Sequence, residues 1–222
     1  MVEIVYRLVI FVDALWVSIR RNGSVAKEPV YIISGIKSDG RRDILDFSVE
    51  VSESALRWEI ILEEFKRRGV EEVLLFVADG LSSLPDHIYR VFPQAKFQSC
   101  IVHKLRNTML YVKKKDRESV LRDLKTLYKA QSKEEAYKSL NTFAGKWFKI
   151  YPALESLWTD EHCYSFYDFP QPVRRYIYTT NSLESINKIL RKGLKCRNSF
   201  PTPESVEKLI FLRIKLLPTG SR

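Results

Sequence analysis

Two aspartates carry the clearest chemistry in the sequence. Asp13 closes the apolar run Leu8-Val9-Ile10-Phe11-Val12, and Asp79 closes Val73-Leu74-Leu75-Phe76-Val77-Ala78. Runs of that length and composition read as buried strands. Carboxylates at the carboxyl ends of neighbouring strands would project side by side. Two close anions resist ionising together unless a cation sits between them. Mg²⁺ or Mn²⁺, hard ions that take oxygen ligands, meet that need. An acid at a strand end also serves simply to open a turn, and Asp79-Gly80 has that form. A third acid, Glu184, lies in Tyr178-Thr179-Thr180-Asn181-Ser182-Leu183-Glu184-Ser185. With Asn181 as N-cap it takes the N3 position of a capping box, so a catalytic role for it requires Asp13 and Asp79 nearby.

Cys100 and His103 are separated by two residues, a spacing that can put a thiolate and an imidazole on one metal. A structural zinc takes four ligands, and Cys163, Cys196, His87 and His162 show no second such pair. A pair that orders the site, or a packed cysteine, is the better reading. Tyr164, Phe166, Tyr167, Phe169, Tyr176 and Tyr178 crowd a proline-containing stretch; base stacking is one use for them and core packing the default.

The elements that must position these residues follow from periodicity. The Leu8–Val12 run continues through Leu15-Trp16-Val17 to a turn at Asn22-Gly23. Val30–Ile33 and the alternating Ile44–Val51 add two strands, with a turn signal at Asp39-Gly40, so an antiparallel meander is expected. A helix capped by Ser54 runs to a stop at Gly69. The Val73–Ala78 strand comes next, then a short helix over Leu84–Val91 ended by Pro93, and a strand over Ala95–Cys100. The chain is helical from His103 to Tyr151, with one stripe of Val120, Leu121, Leu124, Leu127 and Tyr128. A second stripe of Ala136, Leu140, Phe143, Ala144 and Trp147 follows a capping box at Ser132 and Glu135. Pro170 and Pro172 break the pattern, and helices over Ser182–Lys192 and Pro203–Leu216 close it. The order β-β-β-α-β-α-β is that of an α/β mixed sheet flanked by helices.

The 222 residues suffice for a sizeable core without disulfides, and three widely spaced cysteines exclude a disulfide framework and fit a reducing, cytoplasmic compartment. No apolar run reaches the length of a membrane span, and the N-terminus lacks the marks of a signal peptide, so no membrane partner is expected. The formal charge of +10 is uneven. Residues 1–100 carry −2, 101–150 carry +8, 151–170 carry −4 and 171–222 carry +8. Two strongly basic blocks point to phosphate-backbone contact rather than to plain solubility.

Several stretches together resemble the catalytic region of mutator-type transposases of bacterial insertion sequences. They are Val12-Asp13-Ala14-Leu15-Trp16-Val17, Ser38-Asp39-Gly40-Arg41-Arg42, Val77-Ala78-Asp79-Gly80-Leu81, Val91-Phe92-Pro93-Gln94-Ala95, Gln98 through Asn107, and Tyr178 through Asn187. They run in family order over nearly the whole chain. The resemblance implies a ribonuclease H-like core over residues 1–103 and 179–222, with an all-helical insertion over 104–178. It implies a DDE triad of Asp13, Asp79 and Glu184 that holds two Mg²⁺ or Mn²⁺ ions, roughly 3.5–4 Å apart, across a scissile phosphate. The same site would cut a transposon end and join it to target DNA, and the active form would be a homo-oligomer working at the nucleoid. Cys100 and His103 match a family Cys/Asp-x-x-His element. Lys104, Arg106, Lys188, Arg191, Lys192, Lys195 and Arg197 are the expected DNA contacts. Family members usually carry a sizeable N-terminal region that recognises the element's ends; only 12 residues precede Asp13, so a shortened copy is expected. The competing readings are a nuclease of the same fold that cuts without joining, and an inactive DNA-binding remnant.

Overall fold

Strand pairing, rather than the ends of apolar runs, sets the architecture. The computed structural model describes residues 7–21, 23–36, 42–50, 55–79, 81, 83–178, 188–194 and 197–216. The expected turn at Asp39-Gly40, Ser54 as a cap, Asn181, Glu184 and Lys195 lie outside these residues. Five strands form one mixed sheet: β1 (Arg7–Arg21), β2 (Ser24–Ile36), β3 (Arg42–Val49), β4 (Glu72–Ala78) and β5 (Lys96–Ser99), in the order β3-β2-β1-β4-β5. β1, β2 and β3 are the expected antiparallel meander, and β4 runs parallel to β1. The chain divides into two compact units, Met1–Lys96 with Asn181–Arg222, and Phe97–Thr180.

In the first unit the hairpin between β1 and β2 turns at Gly23, whose φ of +82° suits glycine. The hairpin end is fastened by Arg21, which donates to both carboxylate oxygens of buried Glu28 at 2.6 and 2.9 Å. Side chains alternate along β1. Leu15, Val17 and Ile19 face one side, where they pack with Val30, Ile32, Leu190, Leu194, Phe200, Val206 and Ile210. That core seats two helices on the face bearing Asp13: residues 188–194 (α8) and α9 (Pro203–Lys215), the latter entered through a Thr202–Ser205 capping box. On the other face Trp58 of α1 (Ala55–Arg67) meets Tyr31 edge-on at 4.8 Å, and Phe76 meets Phe92 just after α2 (Leu84–Val91). Gly69, at φ +89°, ends α1 as expected.

The second unit is helical: α3 (Ile101–Tyr111), α4 (Arg117–Tyr128), α5 (Lys133–Trp147), α6 (Ala153–Trp158) and α7 (Gln171–Tyr178). The expected stripes are buried at Val120, Leu124 and Leu127 and at Ala136, Leu140, Phe143 and Trp147, while Leu121 lies outside at 39% exposure. Ser132 accepts from the Glu135 amide, but the Glu135 carboxylate reaches the Gln131 amide instead of completing the box. The expected break at Pro170 and Pro172 is corrected: the two prolines start α7. A first-turn proline sacrifices no helical hydrogen bond, so the pair that forbids continuation permits initiation. Half of the aromatic crowd is core, with Phe169 and Tyr178 half-buried and Tyr176 exposed. Tyr164, Phe166 and Tyr167 are buried, and Trp158 lies inside with its indole donating to Thr108 Oγ1 at 2.9 Å.

Candidate active site

Asp13 is not at the end of its strand. β1 runs on to Arg21, and Asp13 sits opposite Ile32 of β2 in the middle of that ladder. What ends beside it is β4: the parallel pairing of β1 with β4 stops at Val12↔Ala78. Asp13 and Asp79 are therefore the next residues on adjacent strands, at one level of the sheet, where neighbouring strands lie about 4.8 Å apart. Alternation after the Phe11↔Val77 pair turns Asp13 to the face that α8 covers. Both aspartates are half-buried.

A cation already attends Asp13. Arg191 of α8 donates from a guanidinium nitrogen to Asp13 Oδ2 at 3.3 Å, with the Asp13 side chain 20% exposed. Leu190 and Leu194, buried on either side of Arg191 in the helix, anchor α8 on β1 and aim the guanidinium at the sheet. The donor chemistry fits a divalent cation: two carboxylates at one level, on the edge where a parallel ladder stops, offer hard oxygen ligands and repel each other without one. Among the described residues no group of three or more His, Cys, Asp or Glu side chains is placed to hold a metal ion. Glu184, seven positions before Arg191, lies outside them.

Cys100 and His103 belong to the second unit. Cys100 is buried and extended at the N-cap of α3, and His103 is half-buried one turn on, so both stand on one side of the helix start. Of the expected DNA contacts, Lys188 and Lys192 are exposed on α8, Arg106 is exposed on α3, and Arg197 is exposed with its guanidinium 5.7 Å from the Phe200 ring centre. Lys104 is different. Its ammonium is nearly enclosed, donating to Asp160 Oδ2 at 2.7 Å and to the Leu157 carbonyl at 3.0 Å. A lysine so engaged holds Asp160 inside the second unit, whereas Lys188 and Lys192 stand exposed. Asp160 also accepts from Ser99 Oγ and from the His162 amide. Burial pushes its carboxyl up, but the Lys104 and Ser99 hydrogen bonds outweigh that and hold it below the usual range. Sequence reasoning missed Asp160, although the acidic stretch 151–170 beside a basic block was a signal for such a pair. It also gave Arg191 no partner.

The match with known proteins is consistent along the chain. The model of the mutator transposase family matches residues 1–216. A probable transposase of an ISRM3-like insertion sequence element from Sinorhizobium fredii is 40% identical over 213 residues, 95% of this chain and 53% of that protein. The ISRM3 transposase of Rhizobium meliloti has the same identity and coverage, and the IS1201 transposase of Lactobacillus helveticus is 34% identical over 90% of this chain and 55% of its own length. The chain belongs to the mutator family of transposases, and its relatives serve bacterial insertion sequences. It spans about half the length of the curated relatives it matches. The Drosophila P element transposase strand transfer complex is a weak structural match, 14% identical with a TM-score of 0.36 over 94% of this chain and 63% of the other. No helix among the described residues is long and apolar enough to cross a membrane.

Proposed function

We propose that the chain is the catalytic part of an insertion-sequence transposase that cuts DNA at a transposon end and transfers the strand to a target. The observation that carries the reading is the register that sets Asp13 beside Asp79 where β4 ends, with Arg191 against Asp13. Family membership and the sheet order β3-β2-β1-β4-β5 support a ribonuclease H-like core over 1–103 and 179–222 and an insertion over 104–178. Asp13, Asp79 and Glu184 would hold Mg²⁺ or Mn²⁺, two ions for the full reaction. Such ions supply Lewis acidity to the phosphate and a nucleophile at neutral pH.

The chain's own residues do the rest. Asp13 and Asp79 keep their carboxylates at one level because the sheet fixes their backbones, so little reorganisation accompanies catalysis. Arg191, Lys188, Lys192, Lys195 and Arg197 crowd one short segment, and Arg106 adds a further positive charge. They would hold DNA phosphates and fix the strand's position without reading sequence. Cys100 and His103 would order the site. A homo-oligomer would bring two transposon ends together.

Asp79→Asn tests the assignment. It should lower Mg²⁺-dependent DNA cleavage by at least about a thousandfold, roughly 4 kcal/mol of transition-state stabilisation. Folding should survive, since the change relieves repulsion between neighbouring anions. Near-normal cleavage by the folded variant would overturn the reading, and strand-transfer products from the unaltered chain would separate joining from cutting alone.

A further inference from the structure

Among the described residues the edge of β1 is open just past Asp13. On that edge β4 stops at Val12, and pairing resumes only at Ser18 and Arg20, whose carbonyl and amide meet the Phe200 amide and carbonyl at 2.8 Å. Strand alternation turns the backbone groups of Ala14 and Trp16 toward the same edge. Among the described residues neither β4 nor Phe200 reaches them. A cleft of about 550 Å³ occupies this gap, lined by residues 14–18 and by Arg191, Leu194, Arg197, Asn198 and Phe200. Among the described residues its lining holds two guanidiniums, one amide and no acid. Trp16 stands at its side with 62% of its surface exposed, whereas Trp58, Trp147 and Trp158 are buried.

An exposed indole offers a broad flat face on which a planar ligand can stack. Alternation puts the Trp16 indole on the face of β1 opposite α8, so the open backbone edge runs between an aromatic plane on one face and guanidiniums on the other. This matches one ligand chemistry: an unpaired nucleotide laid across the edge, with its base on the ring and its phosphate on the guanidiniums. A protein partner adding a strand would satisfy the open backbone but would leave Arg197, which meets no acid among the described residues, without an anion, so charge complementarity favours the nucleotide.

We propose that this cleft is a subsite for one unpaired nucleotide next to the scissile phosphate, with the base stacked on Trp16 and the adjoining phosphate on Arg191 and Arg197. The inference rests on the strand-transfer reading above and makes Trp16 a residue that positions the substrate. A base held there is removed from its duplex, so the cleft prefers single-stranded DNA or frayed ends to intact duplex.

The buried state of the other three tryptophans makes Trp16 the reporter. The full chain is titrated, without divalent metal and at fixed low salt, with a hexamer of thymidylate and with a hexamer of abasic residues. The thymidylate should quench tryptophan fluorescence and the abasic hexamer should not. Trp16→Ala should abolish the quenching and weaken thymidylate binding, read by anisotropy of a labelled oligomer, at least about fivefold, with Trp16→Phe restoring most of the affinity. Circular dichroism verifies that both variants fold. Equal quenching by the abasic hexamer, or unchanged affinity in Trp16→Ala, would overturn the subsite. Neither result touches the Asp79→Asn test, and normal cleavage by Asp79→Asn would overturn the enzymatic reading while leaving the stacking measurement intact.

Discussion

Arg191 reaches Asp13 across 178 positions of sequence, placing a guanidinium nitrogen 3.3 Å from a carboxylate oxygen on the central strand. The contact joins the helix after Glu184 to the strand that carries the first acid, so the two ends of the first unit meet at the site. It also sets a competition, because Asp13 Oδ2 cannot serve both the guanidinium and a divalent cation fully. Arg191→Ala should therefore tighten Mn²⁺ binding severalfold, the scale of about 1 kcal/mol for charges near 4 Å in a solvated setting. DNA affinity should fall in the same variant. Paramagnetic resonance of free Mn²⁺ gives the first quantity and anisotropy the second. Unchanged or weaker Mn²⁺ binding would mean that Asp13 is not a metal ligand.

Lys104 and Lys192 should separate cleanly. Lys104 is 12% exposed and neutralises Asp160 in a half-buried setting, so Lys104→Ala leaves a charge without its counterion. The expected cost is about 2 kcal/mol in urea unfolding, with duplex DNA affinity changed less than about twofold. Lys192 is exposed on α8, so Lys192→Ala should leave stability within about 0.5 kcal/mol. It should lower the slope of log K against log salt by about one. A fall in that slope for Lys104→Ala, with stability kept, would return Lys104 to the DNA-binding set.

How legible the site was depended on range. The strands were readable because apolar runs and alternation are local properties; the same alternation that buries Leu15 and Val17 leaves Trp16 outside. Asp13 and Asp79 were readable as candidates, but not their relation, because register belongs to pairing and β1 continues where its apolar run stops. Pro170 and Pro172 misled because proline both ends and begins helices, and the contacts that hold α7, such as Phe166 on Tyr178 and Arg174 on the Gln131 carbonyl, are tertiary. The partners of Lys104 and Arg191 were invisible because 56 and 178 positions separate them from Asp160 and Asp13. Charge counting cannot tell a lysine held inside from one shown to DNA.

The second unit should carry its own alkaline limit, set by Cys163. Burial, with the Asp160 carboxylate nearby, pushes the thiol from its ordinary 9.0 up to about 12. The folded state thus holds this proton more tightly than the unfolded chain. Below pH 9 both states are protonated and the contribution is fully present. Between about pH 9 and 12 the unfolded thiol ionises and the folded one does not, so stability falls as pH rises, by up to about 1.4 kcal/mol per pH unit. Tyr164 and Tyr167, also pushed up by burial, add to the loss as the pH nears and passes their ordinary 10.0, so the difference between the unaltered chain and Cys163→Ser gives the cysteine's share. Urea unfolding should show stability level from pH 7 to 8.5 and declining from 9 to 10, with the decline flattened in Cys163→Ser, whose hydroxyl does not titrate there. Alkylation of Cys163 at pH 8 should be more than about a hundredfold slower in the folded chain than in urea, since the thiolate is the reacting form. An equally steep decline in Cys163→Ser would assign the alkaline limit to other groups.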